Sequence, residues 1–242
     1  MHPIILIPAR MASTRLPGKP LALIGGEPMI VQVWRRAVEA GAGDVAVACD
    51  GTAIADAVTK AGGRAIVTEA DLPSGSDRIH AALQKIDPQK KYDVVVNLQG
   101  DMPTLDPSLV GLALKLLADP QVDIATLAAR ITDEREKTDP AVVKPVIDFD
   151  AGGTKGRAVN FTRRSVPASD GALYHHIGLY AYRRPALEKF VSLPPSSLEL
   201  REKLEQLRAL EAGMRIEVAV AGTTPLGVDT QETLEKARTY YE

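Results

Sequence analysis

The chain has 242 residues, of which 45% are hydrophobic and 25% are charged, and its formal net charge is −2 at pH 7. A chain of this length can bury a substantial core, and its near-neutral charge argues against a general nucleic-acid or anionic-membrane binder, since both partners call for a large basic excess. The lone cysteine, Cys49, excludes an intrachain disulfide and a cysteine-based zinc site.

The apolar run at residues 4–7 ends at Pro8, without a basic segment before it or a small-residue cleavage pattern after it. No apolar stretch approaches membrane-spanning length. We therefore expect a cytoplasmic protein without membrane insertion and without a nucleic-acid partner. Cys49 ends another short apolar run, so we expect a buried thiol there rather than a nucleophile.

Short apolar runs alternate with helical patterns through the first half of the chain, which is typical of βαβ units around a mostly parallel sheet. The predicted strands are Ile4–Ile7, Val45–Ala48, Ala65–Val67, Val94–Asn97 and Ile124–Ala129. The predicted helices are Met29–Ala40, Thr52–Ala61, Asp77–Lys85 and Pro107–Ala118, with Gly41 and Gly62 as C-terminal stops. Right-handed crossovers place the loops after these strands along one edge of the sheet.

The second half departs from this alternation. Residues 142–149 and 157–161 flank a Gly-rich segment and predict a hairpin; a phosphate-binding loop is disfavoured there because a strand, not a helix, follows. The remaining predicted elements are a strand at Ile177–Tyr182, a helix carrying Leu200, Leu204, Leu207 and Leu210 up to Gly213, a strand at Ile216–Ala221 and a last helix at Thr230–Glu242. These patterns predict one α/β domain over residues 1–242.

The loop after the first predicted strand, residues 8–21, reads PARMASTRLPGKPL. Its three cations, Arg10, Arg15 and Lys19, lie in a segment too polar and too rich in proline to be core. Outward-pointing backbone N–H groups, bidentate arginines and a mobile lysine suit a phosphate chain. The alternative is a solvated loop that happens to be basic.

Two aspartates are candidate ligands for a cation. Asp101 follows a buried strand and Gly100, which allows close backbone approach, so its carboxylate suits Mg²⁺; the alternative is a turn cap before Pro103. Asp229 precedes the last predicted helix, where the alternative is an N-terminal cap. The amide of Gln99 suits a hydroxyl-rich ligand beside Asp101.

The second half offers candidates for binding an anionic organic group. Arg163 can bind a carboxylate bidentately, with Arg164 as its local competitor and a surface salt bridge as the alternative for either. His176 and Tyr180 lie four apart in a predicted strand and therefore share a face. The alternative for His176 is a structural histidine in the core.

In their order along the chain, these segments resemble the sugar-acid cytidylyltransferases, and most closely the family of 3-deoxy-D-manno-octulosonate (Kdo) cytidylyltransferases, or CMP-Kdo synthetases. The resemblance begins in the basic loop and spans nearly the whole chain. The later blocks are SGSDR at 74–78, VNLQGD at 96–101, FTR at 161–163, HIGLY at 176–180, LEQLR at 204–208 and GVDT at 227–230.

The resemblance implies a nucleotidyltransferase fold with a Rossmann-like mixed central sheet flanked by helices. It implies that residues 1–130 mainly bind CTP and that residues 131–242 mainly bind the sugar and form a homodimer. The implied reaction converts CTP and Kdo to CMP-Kdo and diphosphate for lipopolysaccharide biosynthesis. Two alternatives stay open: another acidic sugar, such as a sialic acid, and a catalytically silent nucleotide-binding protein on the same fold.

Residue roles are carried over from the matching blocks. The implied ligands of Mg²⁺ are Asp101 and Asp229, which act in catalysis together with Lys19 and Arg10. The implied nucleotide-binding residues are Pro8, Ala9, Arg10, Arg15, Lys19, Ser74, Gly75, Asp77, Arg78 and Gln99. The implied sugar-binding residues are Gln99, Arg163, His176, Tyr180, Glu205 and Gln206.

The chain departs from the family's pattern in two places that bear on the substrate. Met102 stands where a Glu usually follows Asp101. The segment between Arg163 and His176 is shorter than in many relatives and lacks their Trp after the proline, so a different lid over the sugar is expected.

Overall fold

The computed structural model describes residues 1–13, 15–164 and 172–241. These residues form two compact units: unit 1 comprises Met1–Gly111 and Pro225–Glu242, and unit 2 comprises Leu112–Thr224. Thr14 of the basic loop and residues 165–171 of the expected lid lie outside the described residues, as does Glu242. Within the described ranges, every helix is too short or too polar to cross a bilayer.

The elements alternate in the first half of the chain and then become mixed. The first are β1 (Pro3–Ala9), β2 (Leu23–Ile24), β3 (Glu27–Pro28), α1 (Met29–Glu39), β4 (Asp44–Cys49), α2 (Thr52–Lys60), β5 (Ala65–Val67), α3 (Gly75–Ile86), β6 (Val94–Leu98) and α4 (Ser108–Leu116). The others are β7 (Ile124–Arg130), α5 (Glu134–Thr138), β8 (Lys144–Phe149), β9 (Lys155–Thr162), β10 (Tyr174–Arg183), α6 (Arg184–Ser192), α7 (Ser197–Glu202), α8 (Gln206–Glu211), β11 (Ile216–Ala221) and α9 (Gln231–Tyr240).

Unit 1 is built on parallel strands. Strand β1 lies between β4 and β6, and β5 pairs with the outer side of β4. Residues Ile4–Ile7 are fully buried, as expected for a central parallel strand covered on both faces. Helices α1, α2 and α3 contact β1 or β4. The carboxyl ends of β1, β4 and β6 therefore lie at one edge, and the loops that follow them are neighbours.

Unit 2 has mixed pairing. Strand β7 pairs parallel with β11 and antiparallel with β10, while β9 pairs antiparallel with both β11 and β8. The β8–β9 pair is the predicted hairpin, which is confirmed. The α/β class with a mixed arrangement of strands is also confirmed, whereas the division of labour at residue 130 stays a prediction.

One predicted helix in unit 2 is wrong. The leucine pattern from Leu200 to Leu210 predicts a continuous helix, but the structure has two short ones, α7 and α8. A Ser196–Glu199 capping box begins α7, and Lys203 ends it in the left-handed conformation at φ 55°. Leu200 is consequently 67% exposed instead of buried.

The other differences concern ends and short elements. Helix α3 begins at Gly75, two residues earlier than predicted, because Ser74 caps it. The patterns did not predict α5 or α6. Helix α5 has five residues and no buried side chain, whereas α6 buries Ala186, Leu187 and Phe190 at helical spacing, a signal that the sequence carries. Cys49 is buried at the end of β4, as predicted.

Candidate active site

Unit 1 contains a cleft of about 380 Å³ at the carboxyl ends of β1 and β6 and the amino end of α3. The lining residues are Pro8, Ala9, Arg10, Ala12, Ser13, Arg15, Lys19, Pro20, Leu72, Pro73, Ser74, Gly75, Arg78, Gln99, Gly100, Asp101 and Asp229. The basic loop, the 72–75 loop and the 99–101 loop thus converge, as the crossover argument predicts.

The basic loop is fixed at its middle and its end. Gly18 has φ +68°, a conformation that favours glycine, and a single 3-10 turn follows at Lys19–Leu21. Leu16 is buried in the core of unit 1. The backbone N–H of Met11 donates to both carboxylate oxygens of Asp50, at 3.2 and 3.0 Å.

Asp50 was not among the predicted site residues. It directly follows β4, which pairs parallel with β1, and this position at the carboxyl end of a neighbouring strand could have indicated that it lies near the basic loop. Its carboxylate anchors the loop that carries the three cations.

The floor of the cleft depends on a glycine. A Cβ atom at Gly100 would lie 2.7 Å from the carbonyl oxygen of Pro8, closer than such atoms pack. Glycine therefore allows the loop after β6 to approach the loop after β1, which places Gln99 and Asp101 in the same cleft as Pro8 and Arg10.

The ammonium of Lys19 joins the two candidate carboxylates. Its Nζ lies 3.1 Å from Asp101 Oδ2 and 2.9 Å from Asp229 Oδ1. Arg15 Nη2 lies 2.9 Å from the other oxygen of Asp229. The two aspartates, 128 residues apart in sequence, therefore meet at one point.

These contacts shift the titration of Lys19 and Asp229. Burial by itself lowers the pKa of Lys19, but the nearby Asp101 and Asp229 outweigh it and raise that pKa above its ordinary value. Burial likewise raises the pKa of Asp229, but its bonds to Lys19 and Arg15 lower it overall. Both groups are therefore charged at neutral pH.

Backbone pairing places Asp229 at the cleft. The N–H of Val228 donates to the carbonyl of Asp101 at 2.8 Å, and that of Leu226 donates to Thr104 Oγ1 at 3.0 Å. Val228 is fully buried in a cluster with Leu16 and with residues of α9. The C-terminal segment thus packs within unit 1 beside the loop after β6.

The donor set at this point fits Mg²⁺. Within the described parts of the chain, no group of three or more His, Cys, Asp or Glu side chains could hold a metal. Magnesium is usually bound by one or two carboxylates together with phosphate oxygens and waters, and Asp101 and Asp229 bring two carboxylates into one cleft. The metal assignment itself stays a prediction.

Residues 74–78 form the N-cap and first turn of α3. The hydroxyl of Ser74 accepts from the N–H of Asp77 at 3.2 Å and donates to its carboxylate at 2.7 Å. Ser74 and Gly75 line the cleft, whereas Asp77 is not among its described lining residues. The structure therefore accounts for Asp77 as a capping residue.

Arg78 lines the cleft but is only 2% exposed. Its guanidinium donates to Thr68 Oγ1 at 2.6 Å and to the carbonyls of Glu69 and Ala70 at 2.9 and 3.2 Å. It therefore ties the segment after β5 to α3. This structural use was not predicted.

In unit 2, the rings of His176 and Tyr180 lie with their centroids 5.3 Å apart. The pairing of β10 with β7 is irregular between Ile177 and Tyr180, which shortens the path between residues that would be far apart in a regular strand. The predicted common face is confirmed. Phe161 packs edge-on against His176, with the ring centroids 5.2 Å apart.

His176 is held as a neutral ring. Its Nε2 lies 2.9 Å from Thr126 Oγ1, and burial, with a smaller effect of His175, lowers its pKa to about 3. Burial also raises the pKa of Tyr180 well above its ordinary value, with Tyr182 and Glu205 contributing. Both polar rings are therefore uncharged at neutral pH.

The remaining sugar-site candidates also lie in unit 2. Glu205 is partly exposed just before α8, close enough to Tyr180 to affect its titration, and Gln206 is buried. Arg163 directly follows β9, and its Nη1 donates to the carbonyl of Pro140 at 3.1 Å. Arg164 is exposed.

Comparison with known proteins identifies the family and several similar chains. The chain matches the family model described as cytidylyltransferase over residues 4–216. It is 62% identical to the 3-deoxy-manno-octulosonate cytidylyltransferase of Parvibaculum lavamentivorans, over 98% of this chain and 92% of that protein. It is 59% identical to the protein of the same name from Paramagnetospirillum magneticum, over 98% and 97% of the two chains.

Among solved structures, the chain is similar to a CMP:2-keto-3-deoxy-manno-octonic acid synthetase complexed with CTP. The TM-score is 0.88 at 39% sequence identity, with 99% of this chain and 98% of the other covered.

Proposed function

Because this chain belongs to the cytidylyltransferase family, and within it to the 3-deoxy-manno-octulosonate cytidylyltransferases, we propose that it activates Kdo with CTP. The products are CMP-Kdo and diphosphate. The observation that carries the proposal is the meeting of Asp101 and Asp229 with Lys19 of the basic loop, in a cleft that Arg10 and Arg15 of the same loop also line.

The reaction is a substitution at phosphorus. The anomeric hydroxyl oxygen of Kdo forms a bond to the α-phosphorus of CTP, and the bond from that phosphorus to the oxygen bridging to the β-phosphate breaks. Diphosphate leaves with the electron pair, and the hydroxyl proton passes to solvent. Such transfers depend on positioning and charge neutralisation rather than on a side-chain nucleophile.

The basic loop supplies the neutralisation. Arg10, Arg15 and Lys19 bind the triphosphate and stabilise the charge that builds on the departing diphosphate. Ser74, Gly75 and Gln99, which line the same cleft, hold the nucleoside part. Asp50 holds the loop in place through Met11, and Arg78 holds the 68–75 segment.

Asp101 and Asp229 are the residues that would hold magnesium. When bound, Mg²⁺ neutralises phosphate charge and makes the attacking hydroxyl more acidic. The lowered pKa of Asp229 keeps that carboxylate ionised. Lys19 holds both carboxylates together by its charge.

The sugar side is assigned to residues of unit 2. Arg163 binds the Kdo carboxylate as a bidentate donor, and the uncharged rings of His176 and Tyr180 bind sugar hydroxyls together with Glu205 and Gln206. Gln99 is assigned to the sugar as well. These roles are part of the proposal and rest on the resemblance together with the burial and charge described above.

Three further points belong to the proposal. The product serves lipopolysaccharide biosynthesis, the enzyme works in the cytoplasm, and it acts as a homodimer through the β8–β9 hairpin region. The family resemblance supports each of them. Gel filtration with light scattering tests the dimer directly.

The activity is tested by measuring diphosphate release from CTP with Kdo, with a sialic acid and without sugar, each with Mg²⁺. We expect fast diphosphate release only in the reaction that contains Kdo. Faster release with the sialic acid would move the enzyme to the rival substrate, and no release with any acidic sugar would favour the catalytically silent alternative.

A further inference from the structure

Lys144, the first residue of β8, is an unusual core residue because its side chain is fully buried. Its Nζ donates to the carbonyl oxygen of Asp139 at 2.5 Å and to that of Arg163 at 3.4 Å. Burial lowers the pKa of this ammonium, and the nearby Arg163 lowers it further, against the opposing charges of Asp139 and Glu136. The protein therefore holds a lysine where a cation is costly.

The buried ammonium of Lys144 donates to carbonyl oxygens, whereas a buried cation usually pairs with a carboxylate. Among residues of the described ranges, no carboxylate oxygen forms an ion pair with Lys144 within 4.0 Å. A buried charge with only neutral acceptors is stabilised less than one paired with a carboxylate. A methionine would fill the same space without this penalty, so packing alone does not explain the lysine.

The two acceptors belong to the two segments that hold Arg163. One is the carbonyl of Arg163 itself, at the end of β9. The other is the carbonyl of Asp139, whose neighbour Pro140 accepts the hydrogen bond from Arg163 Nη1. One ammonium thus contacts both the backbone from which the guanidinium extends and the segment against which it rests.

We propose that Lys144 is a positioning residue that sets the Arg163 guanidinium in the orientation required for the sugar carboxylate. The inference rests on the proposed function, in which Arg163 binds that carboxylate. Lys144 itself does not touch the substrate. Its effect passes through the backbone carbonyls of residues 139 and 163.

The test compares Lys144→Met with the parent enzyme on Kdo and on its carboxamide, which lacks the charge that Arg163 would bind. The parent enzyme should have a much higher kcat/KM for Kdo than for the carboxamide. In Lys144→Met this ratio should fall about tenfold, because the KM for Kdo rises. The affinity for CTP, measured by calorimetry, should stay within about twofold. Lys155→Met removes an exposed lysine from the same hairpin and should change neither value.

Coupling distinguishes positioning from general damage. In an Arg163→Ala background, Lys144→Met should cause little additional loss, because the group it orients is already absent. Full additivity of the two losses would overturn the proposal, as would an undiminished preference of Lys144→Met for the acid. If Lys144→Met and Lys144→Gln both lose CTP binding or cooperative unfolding, the lysine is structural and the proposal is wrong. A parent enzyme that does not prefer the acid would instead contradict the proposed function, before any variant is made.

Discussion

At the scale of single residues, the geometry depends most on two carboxylates that share one ammonium. Asp101→Asn and Asp229→Asn each remove a charge from the proposed magnesium site while keeping the shape of the side chain. We expect each to lower turnover by at least about a hundredfold at saturating Mg²⁺. Turnover is measured as diphosphate release, with circular dichroism to verify the fold.

Asp56→Asn is the matched control, since Asp56 is exposed on α2 and does not line the cleft. It should behave as the parent does. Turnover near the parent level in either of the first two variants would remove that aspartate from the metal site. A chelator should abolish the parent activity, and added Mg²⁺ should restore it.

Arg163 and Arg164 are the two candidates for binding the sugar carboxylate; Arg163 donates to the carbonyl of Pro140, whereas Arg164 is exposed. Arg163→Ala should raise the KM for Kdo about ten- to a hundredfold with little change in CTP affinity, because a charge-assisted bidentate contact is lost. Arg163→Lys should restore only part of the affinity for Kdo, since an ammonium lacks the planar shape of the guanidinium.

Separate titrations of CTP and of Kdo against each variant make the measurement. Arg164→Ala is the control and should change neither affinity. A selective loss of CTP affinity in Arg163→Ala would place that arginine at the phosphates.

His176 gives a prediction about pH. Its pKa is about 3 in the folded chain and ordinarily about 6.5, so between these values the unfolded chain binds the extra proton. The free energy of unfolding should therefore fall as pH drops below about 6.5, by at most about 1.4 kcal/mol per pH unit from this residue.

The measurement is urea unfolding between about pH 4 and 6 for the parent and for His176→Gln. The variant should show a shallower loss of stability with acid, because one group that resists protonation in the folded chain is gone. Equal slopes for the two proteins would contradict the lowered pKa of His176. His2→Gln, at an exposed histidine, is the control.

At the scale of elements, α3 is tied to the segment after β5 by Arg78. Arg78→Met would leave the carbonyls of Glu69 and Ala70 and the hydroxyl of Thr68 without this donor. We expect the free energy of unfolding to fall by about 3 kcal/mol, with weaker CTP binding. Denaturant titration measures the loss, and Arg64→Met, at an exposed arginine, should change it by less than about 0.5 kcal/mol. If Arg78→Met lowers the free energy of unfolding no more than the control does, the three contacts of Arg78 do not stabilise the fold.

The strands β1, β4, β5 and β6 were predictable from the sequence because each is a short apolar run between helical or polar segments. The two-residue strands β2 and β3 and the helices α5 and α6 were not predicted. The helix through Leu200–Leu210 was mispredicted because spacing alone does not reveal a left-handed residue such as Lys203. The capping box at Ser196 was a readable sign that a separate helix begins there.

At the scale of the whole molecule, the site could be predicted only where it follows from topology. The convergence of the loops after β1 and β6 is a consequence of parallel strands and right-handed crossovers. Asp229 is different: it reaches the cleft because Val228 is buried and bonds to the backbone of Asp101, which no local pattern shows. Family resemblance supplied that pairing, and the contacts of Lys19 now give it a physical basis.

CTP and the sugar should protect different segments of the chain from amide exchange. If CTP binds in the unit 1 cleft, CTP alone should slow amide exchange at residues 8–20, 72–75, 99–101 and 226–229. Residues 139–144 and 161–164 should be protected only when a Kdo analogue without the attacking hydroxyl is added, because they hold the proposed carboxylate site. Hydrogen–deuterium exchange with mass spectrometry resolves these segments in one experiment. Strong protection of residues 139–144 by CTP alone would show that the nucleotide also uses unit 2, and the separate assignment of Arg163 to the sugar would then be wrong.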